Sequence, residues 1–107
     1  MAMKTIPRAP SGLSPRSRDF WSEVNRDYAL EPHDLVLLRA IVQTMDRVAG
    51  VTKAIDEQGV VVPGSKGQPR PNGLLTEERN LRVALARLLR ELDLDGGPNP
   101  DTRIPRR

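Results

Sequence analysis

The side chains that could carry out catalysis are few in this chain of 107 residues. His33 is the only histidine and there is no cysteine, so a zinc site built from Cys and His cannot form within one chain. A Ser-His-Asp triad would have to use His33, and no serine stands in the strand–turn–helix context of an exposed nucleophile. Residues 64–67 lack the residue order of a phosphate-binding loop. The sequence therefore predicts a protein that is not an enzyme and uses no metal and no cofactor.

Basic side chains are the remaining candidates for function, because Lys and Arg bind nucleic-acid phosphates. The net charge is +3, which permits nucleic-acid binding without requiring it. Residues 1–18 and 103–107 contain basic side chains and no acidic ones. The predicted DNA-binding residues are Lys4, Arg8, Arg16, Arg18, Lys66, Arg70, Arg79, Arg82, Arg90, Arg103, Arg106 and Arg107. The alternative for each is a solvated cation or a local ion pair, as between Glu78 and Arg82.

A first helix is predicted from Pro15 to about Tyr28. Ser14 can cap its free amides, and a proline at the first helical position loses no hydrogen bond. The adjacent aromatic residues Phe20 and Trp21 lie on the apolar side of this helix. We expect them to anchor it to a small core, although such rings can also stack on bases.

A second, much longer helix is predicted from Pro32 to Gln58, with Gly59 as a left-handed cap. It has two apolar stripes, one through Leu38 and Val42 and one through residues spaced along the adjacent side. This breadth suggests contacts with a neighbouring copy as well as with its own chain. The predicted oligomer-interface residues are Leu37, Leu38, Ile41, Val48 and Ile55. Gly50 marks a bend or a close helix crossing in this interpretation.

A third helix is predicted to begin between Asn72 and Thr76 and to run to about Leu94. Residues 60–62 have strand character, but the prolines that follow in residues 63–71 favour an irregular hairpin-like loop over a sheet. The predicted fold is all-α, with a short N-terminal helix and a long helical hairpin interrupted by a β-like loop. The predicted organisation is a flexible basic arm at 1–13, a helical domain at 14–94 and a flexible tail at 95–107.

A fixed order of short motifs runs from residue 13 to residue 94. A Leu-Ser pair precedes a short helix that contains a tryptophan. An Asp-Leu pair then opens a long helix, within which a stretch runs from an alanine to an aspartate. A glycine followed by β-branched residues, a loop glycine and a proline then lead to a last helix that ends in Leu-Leu-x-x-Leu-x-Leu. These features fall at Leu13-Ser14, Trp21, Asp34-Leu35, residues 40–46, residues 59–62, Gly67, Pro71 and residues 88–94. The combination resembles the phage terminase small subunit family. Asp93 departs from the family's frequent glycine, and residues 95–98 replace its usual Ser/Thr-Pro.

The resemblance implies a ring-forming helical protein that binds the packaging-initiation region of viral DNA. It would hand this DNA to a separate large subunit with ATPase and nuclease activity. The implied partners are duplex phage DNA, the large subunit and further copies of the chain, with no membrane. The implied location is the cytoplasm of the infected bacterial host. No apolar run reaches membrane-spanning length and the N-terminus lacks a signal-peptide centre, which agrees with that location.

Two other classes of protein remain open. The chain can be a small homo-oligomeric adaptor of a phage or plasmid that binds only proteins, and salt-dependent DNA binding would separate this hypothesis from the first. A helix-turn-helix regulator is disfavoured, because no two short helices are joined by a tight glycine turn.

Overall fold

A computed structural model describes residues 5–94 of the chain. The predicted order of elements is confirmed: α1 spans Pro15–Asp27, α2 spans Pro32–Gln58 and α3 spans Leu74–Leu92. Between α2 and α3 lie two short strands, β1 at Val61–Pro63 and β2 at Pro69–Pro71. The described chain is therefore mostly helical, with one small two-stranded antiparallel sheet.

The ends of the helices are fixed by local hydrogen bonds. At the start of α1, the Ser14 hydroxyl accepts a hydrogen bond from the Ser17 amide at 3.2 Å, which confirms the predicted cap. At the start of α2, the Asp34 carboxylate accepts from the Glu31 amide at 3.0 Å. At its end, the Gly59 amide donates to the carbonyl of Ile55 at 2.7 Å. Gly59 ends the helix with φ +92° and ψ 162°, a positive-φ conformation that favours glycine but lies outside the left-handed helical region predicted for it.

Helix α2 packs against both other helices, and this explains its two apolar stripes. Leu38, Ile41 and Val42 are completely buried, and they belong to one core cluster with Trp21 and Val24 of α1. Leu92, at the end of α3, is buried in the same cluster. The breadth of the apolar surface is thus used within one chain, since α1 covers what a two-helix hairpin would leave open. The predicted core role of Trp21 is confirmed.

The expectation that prolines would prevent a sheet is wrong. The strands pair Val61 with Pro71, Val62 with Arg70 and Pro63 with Pro69. Hydrogen bonds flank this ladder on both sides, from the Asn72 amide to the Val60 carbonyl and from the Gly64 amide to the Gln68 carbonyl. Antiparallel pairs alternate between bonded and non-bonded positions, so all three prolines fall at non-bonded pairs. Their missing N–H groups cost no ladder bond.

Asn72 joins the sheet to both long helices. Its side chain is buried, and its amide group donates to the carbonyl of Gly59 at 2.9 Å and to the side chain of Gln58 at 3.2 Å. Its side-chain oxygen accepts from the Leu74 amide at 3.0 Å, which satisfies a free amide at the start of α3. One residue therefore fixes the end of α2 and the beginning of α3.

No other described segment crosses close to Gly50, so the predicted helix crossing is not formed there. Helix α2 continues through it, and a Cβ atom placed there would meet no atom within 4 Å. Replacing Gly50 by Ala should therefore stabilise the protein by roughly 0.5–1 kcal/mol, because alanine loses less backbone freedom on folding. Thermal unfolding followed by circular dichroism would show a higher midpoint.

The matched control is Gly12→Ala. Gly12 also has no atom within 4 Å of the new Cβ, but its φ of +79° is unfavourable for alanine, so this change should destabilise. If Gly50→Ala lowered the unfolding midpoint, another subunit packed against Gly50 would be the explanation.

Candidate nucleic-acid interface

The predicted DNA-binding residues fall in three separate places on the described chain. The first is the segment before α1 together with the start of that helix, the second is the hairpin of β1 and β2, and the third is the exposed side of α3. Four of the predicted residues lie outside the described part of the chain, namely Lys4, Arg103, Arg106 and Arg107. Neither the predicted flexibility of the arm nor that of the tail is tested, and both stay predictions.

The segment before α1 is attached to the helical domain. The indole N–H of Trp21 donates a hydrogen bond to the carbonyl of Pro7 at 2.8 Å, and Ala9 packs against the core cluster. These contacts place Arg8 beside the exposed Arg18 of α1, and both line one cleft. Arg39 of α2 lines the same cleft. No motif pointed to Arg39, because it stands alone between apolar residues in the sequence.

The hairpin of β1 and β2 lies at the other end of α2. Lys66, in its loop, and Arg70, in β2, are both exposed. Roughly 28 Å of helix separates Arg39 from Gln58 at the usual helical rise, so the two groups of cations are not one cluster. Arg16 is also exposed, but it lines a different groove from Arg8 and Arg18.

On α3, Arg79, Arg82 and Arg90 are exposed. Arg82 is not free, because its guanidinium lies 3.6 Å from the Glu78 carboxylate, which confirms the local ion pair that was the alternative for this residue. The same carboxylate accepts a 2.5 Å hydrogen bond from the Thr52 hydroxyl of α2. Glu78 and Arg82 therefore contribute to the contact between α2 and α3.

The residues predicted for an oligomer interface are mostly buried inside one chain. Leu38 and Ile41 have no exposed surface, and Val48 and Ile55 are at least nine-tenths buried. Only Leu37 is half-buried. As the chain is folded, Leu38 and Ile41 cannot contact a second copy, and their apolar character is explained by the core.

An open groove of about 1130 Å³ runs between the three helices. Its apolar lining includes Phe20, Met45, Leu85 and Leu89, and its lining also contains both acidic and basic side chains. Leu89 keeps 43% of its surface exposed. Charges of both signs surround this groove.

A hydrogen-bonded carboxylate joins α1 to α2 at one end of this groove. Asp46 of α2 accepts from the Ser14 hydroxyl at 2.6 Å, from the Ser17 hydroxyl at 2.6 Å and from the Ser14 amide at 2.8 Å. We call these residues the Asp46 latch. Burial raises the pKa of Asp46, but the three hydrogen bonds to its carboxylate outweigh this effect, so its pKa lies below the ordinary value. The carboxylate is therefore ionised at neutral pH.

Within residues 5–94, no group of three or more His, Asp or Glu side chains is placed to hold a metal ion. No helix in that range is long and apolar enough to span a bilayer. Every buried side-chain nitrogen or oxygen in the described part of the chain has a hydrogen-bond partner.

Comparison with known families identifies the chain's relatives. A family model described as phage terminase, small subunit, matches residues 16–97. The chain belongs to this family. No curated protein and no solved structure is significantly similar to it.

The latch gives a physical meaning to two motifs of the terminase resemblance. The Leu-Ser pair at Leu13-Ser14 and the aspartate at Asp46 are far apart in sequence, and the fold brings Ser14 and Asp46 into direct contact. Leu13 is buried beside them in the core. These motif residues therefore hold α1 on α2, which is a structural role. An aspartate beside an apolar stripe was the only sequence signal of this contact.

Replacing Asp46 by Asn should destabilise the protein at neutral pH by about 2 kcal/mol, because hydrogen bonds to a charged group are the strong ones and an amide N–H would oppose the Ser14 donors. The pKa of Asp46 is lower in the folded than in the unfolded protein. The contribution of its carboxylate to the free energy of unfolding is therefore complete above the unfolded pKa of about 3.9, and it is lost as pH falls through the folded pKa. Urea unfolding between pH 7 and pH 3 would measure both effects.

Asp56→Asn is the matched control, since Asp56 is exposed on the same helix. It should leave both the stability at pH 7 and its acid dependence close to those of the wild type. An Asp46→Asn protein with wild-type stability at pH 7 would contradict the importance of the latch.

Proposed function

We propose that this chain is the DNA-recognition subunit of a phage genome-packaging terminase. In this proposal it binds the packaging-initiation region of phage DNA as an oligomeric ring, in the cytoplasm of the infected bacterium, and hands the DNA to the large ATPase and nuclease subunit. The family match over residues 16–97 carries the proposal. The chain itself performs no catalysis.

The distribution of charge supports DNA binding near the N-terminus. Residues 1–18 contain four cations and no acid, and the contact between Trp21 and Pro7 holds part of this segment against the domain. One chain supplies few phosphate contacts, so a monomer would bind weakly. A ring repeats the same segment around its circumference, and tethered repeats raise the effective concentration without new contacts.

The groove between the helices supports self-association. The residues predicted for the interface are largely buried inside the chain, and the groove keeps Leu89 partly exposed among apolar neighbours. A second copy would cover this surface and its half-buried neighbours. The same groove also supports the alternative function, an adaptor that binds only proteins, so assembly by itself does not separate the two.

Replacing Leu89 by Lys should weaken or abolish assembly while the fold is retained, because a charge would enter the apolar groove. Val83→Lys is the matched control: Val83 lies on the same helix and is 47% exposed, but it does not line the groove. Light scattering at tens of micromolar would report the mass of each variant. A wild type that is a monodisperse monomer at these concentrations would refute assembly.

DNA binding is tested by fluorescence anisotropy with a labelled duplex at several salt concentrations. Replacing both Lys4 and Arg8 by Gln should weaken binding and flatten the log–log salt dependence by about two units, because each lost phosphate contact removes close to one unit. These substitutions keep Pro7 and Ala9, which a deletion of residues 1–12 would remove together with their contacts. A wild type that shows no salt-sensitive binding would favour the adaptor function instead.

A further inference from the structure

We propose that Arg8, Arg18 and Arg39 form one cleft that binds the backbone phosphates of duplex DNA. Arg39 adds a phosphate contact from α2, which lies outside the basic N-terminal segment. This inference rests on the proposed DNA-binding function and deepens it, because it names the surface that would hold the duplex. We refer to these three residues and their surroundings as the arginine cleft.

The composition of the cleft points to an anionic ligand. Three of the residues that line its volume of about 660 Å³ are arginines, and none is Asp or Glu. All three arginines are exposed, and none of them forms an ion pair with another described residue. The other groove contrasts with it, since Asp19, Glu23 and Asp56 stand there beside Arg16 and Lys53. Positive charge without compensation is therefore concentrated in the arginine cleft.

The fold brings these arginines together from three segments. The hydrogen bond from Trp21 to the Pro7 carbonyl holds the residue next to Arg8 against α1. The Arg18 guanidinium donates to the Leu13 carbonyl at 3.1 Å, which fixes its position and leaves other N–H groups available. The Asp46 latch then fixes α1, and with it Arg18, relative to α2 and Arg39. The Arg18 guanidinium is thus held in position, so it loses less side-chain freedom on binding than an unattached one would.

Four other cations of the described chain fit this role less well. Arg82 and Arg26 are engaged with Glu78 and Asp27 in ion pairs. Lys66 and Arg70 stand at the far end of the hairpin, roughly 28 Å of helix away from Arg39. The arginine cleft is where Arg8 and Arg18, predicted from the sequence, are joined by a third cation.

An extended polyanion suits the cleft better than a single small anion. The three guanidiniums are exposed around an open recess rather than converging in an enclosed one, and the described residues supply no buried charge at its base. Duplex DNA carries a charge about every 1.7 Å along its axis, so successive phosphates can meet separate arginines.

The test is Arg39→Gln in the full-length protein, measured by anisotropy with a labelled mixed-sequence duplex. The dissociation constant should rise about three- to tenfold near 0.1 M salt, and the log–log salt slope should fall by about one unit. Arg39→Lys keeps the charge and should restore most of the slope. Trp21 is the only tryptophan of the chain and lines the cleft, so a change in its emission on adding DNA, reduced in Arg39→Gln, would support binding there.

Arg87→Gln is the matched control, because Arg87 is exposed on α3, lines neither the groove nor the cleft and has the same charge. It should bind DNA as the wild type does. If the wild type binds with a steep salt dependence and Arg39→Gln behaves like Arg87→Gln, the arginine cleft is refuted while the proposed function stands. If the wild type itself does not bind DNA, both are refuted.

Discussion

The Asp46 carboxylate accepts three hydrogen bonds from the start of α1, and the arrangement of the rest of the domain depends on this contact. It fixes α1 on the middle of α2, which places Trp21 and Val24 in the core cluster to which residues of α2 and α3 also belong. A chain with three aromatic residues and no cysteine has few other ways to close a core. The latch is also polar and directional, so it specifies how α1 sits, which aliphatic packing alone would define less sharply.

The same packing decides which surfaces remain for partners. Because α1 covers one side of α2, the most apolar residues of that helix face inward and are not available to another subunit. Among the surfaces that remain is the groove between the three helices, with a partly exposed leucine and charges of both signs around it. Charges of both signs favour a defined protein partner over nonspecific adsorption, since each sign excludes a like-charged neighbour.

The charged residues also differ from one of these surfaces to another. The groove mixes acids and bases, the contact between α2 and α3 uses Glu78 and Arg82 internally, and the arginine cleft on the other side of α1 contains cations alone. One short helix therefore separates a surface suited to protein from a surface suited to a polyanion.

The sequence by itself determined the helices, because caps, prolines and apolar periodicity act over a few residues: Ser14, Pro32 and Gly59 mark ends that the structure confirms. The order of its motifs also identified the family. Only the tertiary structure decided the pairing of the prolines at non-bonded ladder positions, the burial of both α2 stripes within one chain, and the meeting of Arg39 with Arg8 and Arg18. These depend on register and on contacts between residues far apart in the chain, which local spacing does not encode.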